Sequence, residues 1–307
     1  MAGSLRPNSF SAPKTLVTGF GFVVWQYFYD FRMNELRRFA AKTLRTILGR
    51  KQLSRLGRFL LNSGRMDGDN DQRFNGEFLY LRTILRAAVK KSGSATMFDI
   101  GANKGIVTKY ASQILGSNGR IFAAEPCSAT FKTLQSETSG LEAKIHLINA
   151  AFSDKNGTGT LQVEGPNAGT NSLVPSQTTT ATESVQLYTL DSFASAHSID
   201  SIDFIKIDTE GHDFSVINGC RELLQSKRIG CVQFEYNWRW IGQRCFLKDV
   251  FDLVSKLPPY RIGKVTCRGI EWYEKWSPEL ETLIENNYAV SREDLLVEMP
   301  SVKPWFN

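Results

Sequence analysis

The sequence predicts an α/β fold, a doubly wound and mostly parallel sheet over residues 71–307, preceded by a basic helical arm over residues 1–70. Three observations predict it. The apolar run Thr96–Ile100 ends in a small-residue loop, Gly101-Ala102-Asn103-Lys104-Gly105, and an amphipathic helix begins at Ile106. A second run, Ile202–Ile207, ends in Asp208-Thr209-Glu210-Gly211 and again leads into a helix. Between them, Arg120–Ala124 and Ile145–Asn149 are short apolar strands, with a helix carrying Phe131 and Leu134 placed between the two. Strand, glycine loop and helix together make the corner of such a sheet where ligands sit, beyond the carboxyl ends of the strands.

The arm carries the chain's net positive charge. Residues 1–60 hold 11 Lys and Arg against Asp30 and Glu35, a net of +9, while the rest of the chain holds 26 against 29, a net of −3. Nucleic-acid binding by the body is therefore not expected. Leu16–Tyr29 is uncharged and aromatic-rich, but as a helix it would reach about 21 Å, short of a bilayer's ~30 Å core. It lacks a small-residue cleavage site, which argues against a cleaved signal. Leu36, Phe39, Ala40, Leu44, Ile47 and Leu48 then form one helix face opposite Arg37, Arg38, Lys42 and Arg45. A basic amphipathic helix beside Trp and Tyr fits an element lying in a membrane interface, so residues 15–60 are a candidate peripheral membrane contact. Packing on the body or on a second subunit is the competing reading, and the oligomeric state is left open. The polar stretch Gly64–Asp71 closes the arm.

The body begins with an expected helix over Phe74–Lys91, with Leu81, Ile84, Leu85 and Ala88 among the inward residues. At the loop after the first strand, Gly101 and Gly105 allow close approach of a ligand. The spacing lacks the G-x-G-x-x-G of a dinucleotide site, which disfavours an NAD-dependent oxidoreductase. Asp99 would repel a phosphate but accept hydrogen bonds from an ammonium group. That combination suits S-adenosylmethionine, although a tight strand-to-helix turn needs glycines in any case. Glu125, at the tip of the second strand and 26 residues after Asp99, is placed to bind both hydroxyls of a ribose. Asp99, Gly101, Ala102, Asn103, Gly105 and Glu125 are thus candidate cofactor residues. Ala151, Phe152 and Asp154 join them after the third strand, where an adenine would lie. Gly165–Ser184, poor in core formers, is expected to be a lid, a substrate loop or a disordered link.

Lys206 interrupts a strand that burial should make wholly apolar. At a strand period of two it shares a face with Asp208. Its candidate partners are Asp208 and Glu235, the latter ending the strand Cys231–Glu235. Charges at the carboxyl ends of neighbouring strands suggest a site, the competing reading being a structural ion pair. The last two strands are expected at Arg261–Val265 and Leu295–Glu298. Five scattered cysteines without a C-x-x-C predict free thiols of a reducing compartment, here the cytoplasm, or its membrane surface should the arm bind there.

Asp99-Ile100-Gly101-Ala102-Asn103-Lys104-Gly105, Glu125-Pro126, Thr189-Leu190-Asp191, Lys206-Ile207-Asp208-Thr209-Glu210-Gly211, Gly219 and Glu235, in this order and spacing, resemble the FkbM family of S-adenosylmethionine-dependent methyltransferases. The likeness spans about residues 74–300 and leaves the arm outside it. It implies a class I methyltransferase fold, a Rossmann-like sheet of seven strands, and methyl transfer to oxygen, often a hydroxyl of a sugar, glycolipid or natural product. Family members often carry Glu two residues after the Glu-Gly pair; here Asp213 stands there.

Methyl transfer to a hydroxyl needs an aligned acceptor and a base. Asp208 is the expected base, aided by Lys206 or Glu210, with His212 as an alternative. Asp208, Glu210, Glu235 and Asn237 could instead hold Mg²⁺ through oxygens. Glu235, Asn237 and Trp238 are candidate acceptor contacts. Trp238, Trp240, Trp272 and Trp276 are either a sugar-stacking platform or core. The alternative to an enzyme is a scaffold recruited to a membrane or partner by its basic arm.

Overall fold

Central strands that are apolar on both faces must be covered on both, and that requirement organises the body. The computed structural model describes residues 17–165, 168–175, 181–257 and 259–306, with side chains from Asn34 onward. The aromatic side chains expected between residues 16 and 29 lie outside the described residues. The chain divides between Ser63 and Gly64. On the N-terminal side, α1 runs from Val17 to Arg65 with non-helical backbone at Gly49 (φ 74°, ψ 159°).

Beyond the division, five strands lie parallel at the centre: β1 (Ala95–Ile100), β2 (Gly119–Ala124), β3 (Lys144–Ile148), β7 (Ile202–Ile207) and β8 (Ile229–Tyr236). Three further strands, β9 (Tyr260–Thr266), β10 (Gly269–Tyr273) and β11 (Asn286–Arg292), extend one side in antiparallel pairing. The order is β10-β9-β11-β8-β7-β1-β2-β3, eight strands among the described residues where seven were expected. The extra strand is β10, which folds back on β9 through the turn at Cys267-Arg268. Gly269 at that turn has φ +136°, and a Cβ there would meet the Pro300 carbonyl oxygen at 2.2 Å. The last strand in sequence is Asn286–Arg292. Leu295–Glu298, expected as a strand, belongs to a 3₁₀ turn over Glu293–Glu298, because the sheet edge beside β8 is already filled.

Helices α2 (Glu77–Ser92) and α3 (Ile106–Leu115) cover one face. Tyr80, Leu81, Ile84 and Leu85 there pack with Met97, Ile121 and Phe204. Helices α5 (Leu190–Ala196), α6 (Asp213–Asn218), α7 (Arg221–Gln225) and α8 (Leu247–Val254) cover the other around Phe98, Ile205, Val232 and Phe234. Between β3 and α5, β4 (Ala151–Phe152), β5 (Gly157–Val163) and β6 (Ala181–Tyr188) form a small second sheet, and α4 (Ser128–Glu137) follows β2. Helix α2 starts three residues later than expected: Asn75 Oδ1 accepts the Glu77 N–H at 2.9 Å, and Gly76 is left-handed (φ 103°). Among the described residues, no helix is long and apolar enough to cross a membrane.

Candidate active site

The carboxyl ends of β1, β2 and β7 open on a cavity of roughly 410 Å³, within the range of small-molecule sites. Its floor is the glycine loop. Gly101 (φ +83°) passes so close to the end of β7 that a Cβ would meet the Asp208 carbonyl oxygen at 1.8 Å. Only glycine fits there, and the Asp208 N–H in turn donates to the Ile100 carbonyl at 2.9 Å. Asn103 takes a left-handed backbone (φ 48°), a conformation asparagine tolerates better than most residues. Among the described residues its Oδ1 is buried without a hydrogen-bond partner, an acceptor left over for a ligand's donor.

Two acids face this space. Asp99, 1 % exposed, accepts the Thr108 hydroxyl at 2.5 Å. Burial raises its carboxyl to about 6, against the pull of that hydroxyl. Glu125 accepts the N–H of Cys127 (2.9 Å) and of Asn103 (3.1 Å), so it also braces the glycine loop. Burial lifts it to about 7 despite those two donors. Ala102, Ala151 and Phe152 line the cavity with them. Gly105 and Asp154 do not. Gly105 (φ +78°) heads α3, where a Cβ would strike Leu134 of α4 at 2.9 Å, and Asp154 is exposed and accepts the Ser153 hydroxyl.

The other wall carries Lys206, Asp208, Glu210 and His212. Lys206 Nζ lies 2.9 Å from Glu77 Oε2 and 3.6 Å from Asp208 Oδ2, and donates to Asn287 Oδ1 at 3.0 Å. Its closest acid is therefore Glu77 of α2, with Asp208 second, and no ion pair links it to Glu235. Sequence spacing along strands could not find a partner that arrives from a covering helix. Burial works against the Lys206 charge, but Glu77, Asp208 and Glu235 together more than offset it and hold its pKa above the usual lysine value. Asp208 is raised by burial, with Lys206 pulling against it and Glu77 and Glu285 adding to it. Glu210 (φ 55°) is lifted to about 7 by burial and by Asp208, although it pairs with Arg239 at 3.1 Å. Burial lowers His212 to about 4, so it is neutral at pH 7; its Nε2 lies 2.9 Å from Ser153 Oγ.

Glu235 stands apart from the main cavity. It lines a polar crevice of about 70 Å³ with Asp69, Asn70, Glu77, Glu285, Asn286 and Asn287. Asp208 lines both spaces, and among the described residues it is the one carboxylate that does. The Glu235 side chain makes no hydrogen bond or ion pair among the described residues, and burial with the charges of Asp208 and Glu285 raises its pKa strongly. One oxygen each of Asp208, Glu210 and Glu235 lie within 4.8 Å of one another, an all-oxygen set that a hard divalent cation could use. Asn237 lines neither space; its side chain is buried and accepts the Arg239 N–H at 2.8 Å. Trp238 is 62 % exposed on the following 3₁₀ turn and reaches neither space. Trp240 is core, donating Nε1–H to the Glu235 carbonyl, Trp276 donates to Glu281 and Trp272 packs against the core beneath α2, so the four tryptophans form no common platform. Asp213 is buried and pins the loop, accepting from Thr209 Oγ1 (3.0 Å), the Gly211 N–H (3.2 Å) and the Glu235 N–H (3.3 Å).

Part of the segment expected to be a lid, a substrate loop or a disordered link lines the cavity. Ala168, Gly169, Asn171, Ser172 and Leu173 line it. Ser172 is paired with Gln162 through backbone bonds, and its hydroxyl donates to the Glu210 carbonyl at 2.9 Å. Glu77, Thr108 and Ser172 were not legible as site residues in the sequence. A threonine three residues after Gly105 was the nearest signal, since one turn into α3 it faces back toward the end of β1.

Residues 99–260 match the methyltransferase FkbM domain. No curated protein sequence matches the chain significantly. Among solved structures, the precorrin-6y C5,15-methyltransferase of Geobacter metallireducens is similar at 12 % identity and a TM-score of 0.40, over 70 % of this chain and 87 % of that one. The O-methyltransferase TomG of Streptomyces achromogenes, solved in complex with S-adenosylmethionine, is similar at 8 % identity and a TM-score of 0.39, over 69 % and 78 %.

Proposed function

The chain belongs to the FkbM methyltransferase family, and on that premise we propose that it moves a methyl group from S-adenosylmethionine to a hydroxyl of a sugar, glycolipid or natural product, with Asp208 as the base. The observation that carries this reading is the position of Asp208 between two spaces. On one side lies the larger cavity with Asp99 and Glu125; on the other lies a crevice of carboxylates and amides suited to hydroxyl groups. The residues fit the cofactor: Asp99 and the unpartnered Asn103 Oδ1 are acceptors for an ammonium group, and Glu125 is an acceptor for ribose hydroxyls. When bound, S-adenosylmethionine supplies an electrophilic methyl group.

The protein's own part is orientation and proton removal. Burial and neighbouring acids make Asp208 a stronger base than an ordinary aspartate, while Lys206 beside it favours the ionised form. An acceptor hydroxyl in the crevice gives its proton to an Asp208 oxygen. Asn286 and Asn287 offer amide groups to orient it, and Ser172 and Leu173 form part of the wall of the larger cavity. His212, neutral and engaged with Ser153, serves as wall. Lys206 and Arg239 already sit on Asp208 and Glu210, which favours proton transfer over Mg²⁺ in this cluster.

The test is Asp208→Asn. Calorimetry should find S-adenosylmethionine binding retained, while labelled methyl transfer to a panel of sugars, glycolipids and polyhydroxylated natural products falls at least ~100-fold. A chelator should leave wild-type transfer unchanged. Near-normal turnover by the variant removes Asp208 as base, and loss of activity on chelation restores the cation to the mechanism.

A further inference from the structure

We propose that the arm is an in-plane anchor for an anionic lipid bilayer. This inference rests on α1 alone and is independent of the methyl-transfer reading. Residues 34–63 carry eight Lys and Arg against Glu35 as the one acid. Their large apolar side chains are nevertheless in the open: Phe39 and Ile47 are 71 % and 72 % exposed, Phe59 66 % and Leu60 60 %.

The two kinds of residue are sorted by helical spacing. At 100° per residue, Leu36, Phe39 and Ile47 fall on one side of the stretch before Gly49, and Arg38, Lys42 and Arg45 on the other. After the break, Leu53, Leu56 and Leu60 repeat the pattern against Lys51, Arg55 and Arg58. On either side of Gly49, residues 34–48 and 50–63 make helical segments each about 22 Å long with a cation on almost every turn, so they suit lying along a surface and not crossing one.

The occupant follows from the two faces together. A nucleic acid would neutralise the charge but leave the apolar side chains in water. A second copy would cover the apolar side chains but leave the cationic face on the far side of the helix without a counter-charge. An anionic bilayer meets both needs. The apolar side chains enter the boundary between headgroups and acyl chains, and the Lys and Arg stems extend to the phosphates.

The full-length protein should be floated with phosphatidylcholine vesicles made with and without phosphatidylglycerol. Binding is expected only with the anionic lipid, and it should weaken as salt shortens the Debye length from about 10 Å at 0.1 M to about 3 Å at 1 M. Combining Arg38→Gln, Lys42→Gln and Arg45→Gln should lower partitioning about fivefold per charge removed. Phe39→Ser with Ile47→Ser should abolish it while leaving the charge intact. Neither variant should move the thermal unfolding midpoint of the body. Equal binding to both vesicle types, or to neither, overturns the proposal. So does a dimer in sedimentation equilibrium that the Phe39→Ser, Ile47→Ser variant converts to monomer, which would make the face a self-association surface.

Discussion

Lys206→Met separates what the buried lysine does for the fold from what it does for the base. The Lys206 and Glu77 side chains are 3 % and 7 % exposed, and their charged atoms stand 2.9 Å apart. Removing the ammonium leaves a buried carboxylate without its counter-charge, a loss that costs ~3–5 kcal/mol. Glu77 keeps the amide donors Asn75 Nδ2 (2.7 Å) and Gln233 Nε2 (2.9 Å), which places the expected cost at the lower end, about 3 kcal/mol near neutral pH. Acidification should relieve it, because a proton taken up by the orphaned acid removes the buried charge, at about 1.4 kcal/mol per pH unit. The assay is urea unfolding at two pH values about 1.5 units apart, with the double variant Lys206→Met, Glu77→Gln closing the cycle. The double variant should recover most of the loss, since the amide keeps the shape and neutralises the site. In the single variant, the acid limb of the transfer rate should also move to higher pH, as Asp208 loses the cation that favours its ionised form. A cost below about 1 kcal/mol, or one that is the same at both pH values, would refute the view that Lys206 and Glu77 form a buried, mutually dependent pair.

Two further outcomes follow from the cavity. Glu125→Ala should weaken S-adenosylmethionine binding by about 2 kcal/mol, the scale of hydrogen bonds to a charged group, and unchanged affinity in calorimetry would remove the ribose role. Stability of the ligand-free protein should fall as pH rises from about 4.5 to about 7. Asp99 and Asp213 are raised from 3.8 to about 6 and Glu125 and Glu210 from 4.5 to about 7, so between those limits the folded state holds more protons than the unfolded chain. His212, lowered to about 4, acts oppositely: its contribution is lost as pH falls from the unfolded value of 6.5. The four acids outweigh the one histidine, so a thermal midpoint highest below about pH 5 and falling toward pH 7 is the expected profile, and a midpoint rising steadily from about pH 5 to about pH 8 would contradict it.

By itself the sequence determined the elements that repeat a local rule. Apolar runs with a period of two or none became β1, β2, β7 and β8, and the glycine loop landed at the carboxyl end of β1, because only Gly101 tolerates the Asp208 carbonyl beneath it. Asp99, Glu125, Asp208 and Glu210 were legible for the same reason: strand ends of a parallel sheet converge, so acids placed there share one cavity. What the tertiary structure decided were contacts between elements distant in sequence. Glu77 reaches Lys206 from a helix over the sheet, Ser172 joins the cavity wall from a loop, and β10 turns back to add an eighth strand. It also parted Glu235 from the main cavity, and it left Asn237 as a turn cap and Trp240 as core. Periodicity reports which face a residue takes along its own strand or helix. Which residue of another element meets that face depends on how helices and loops pack across the sheet, and no spacing within one segment encodes it.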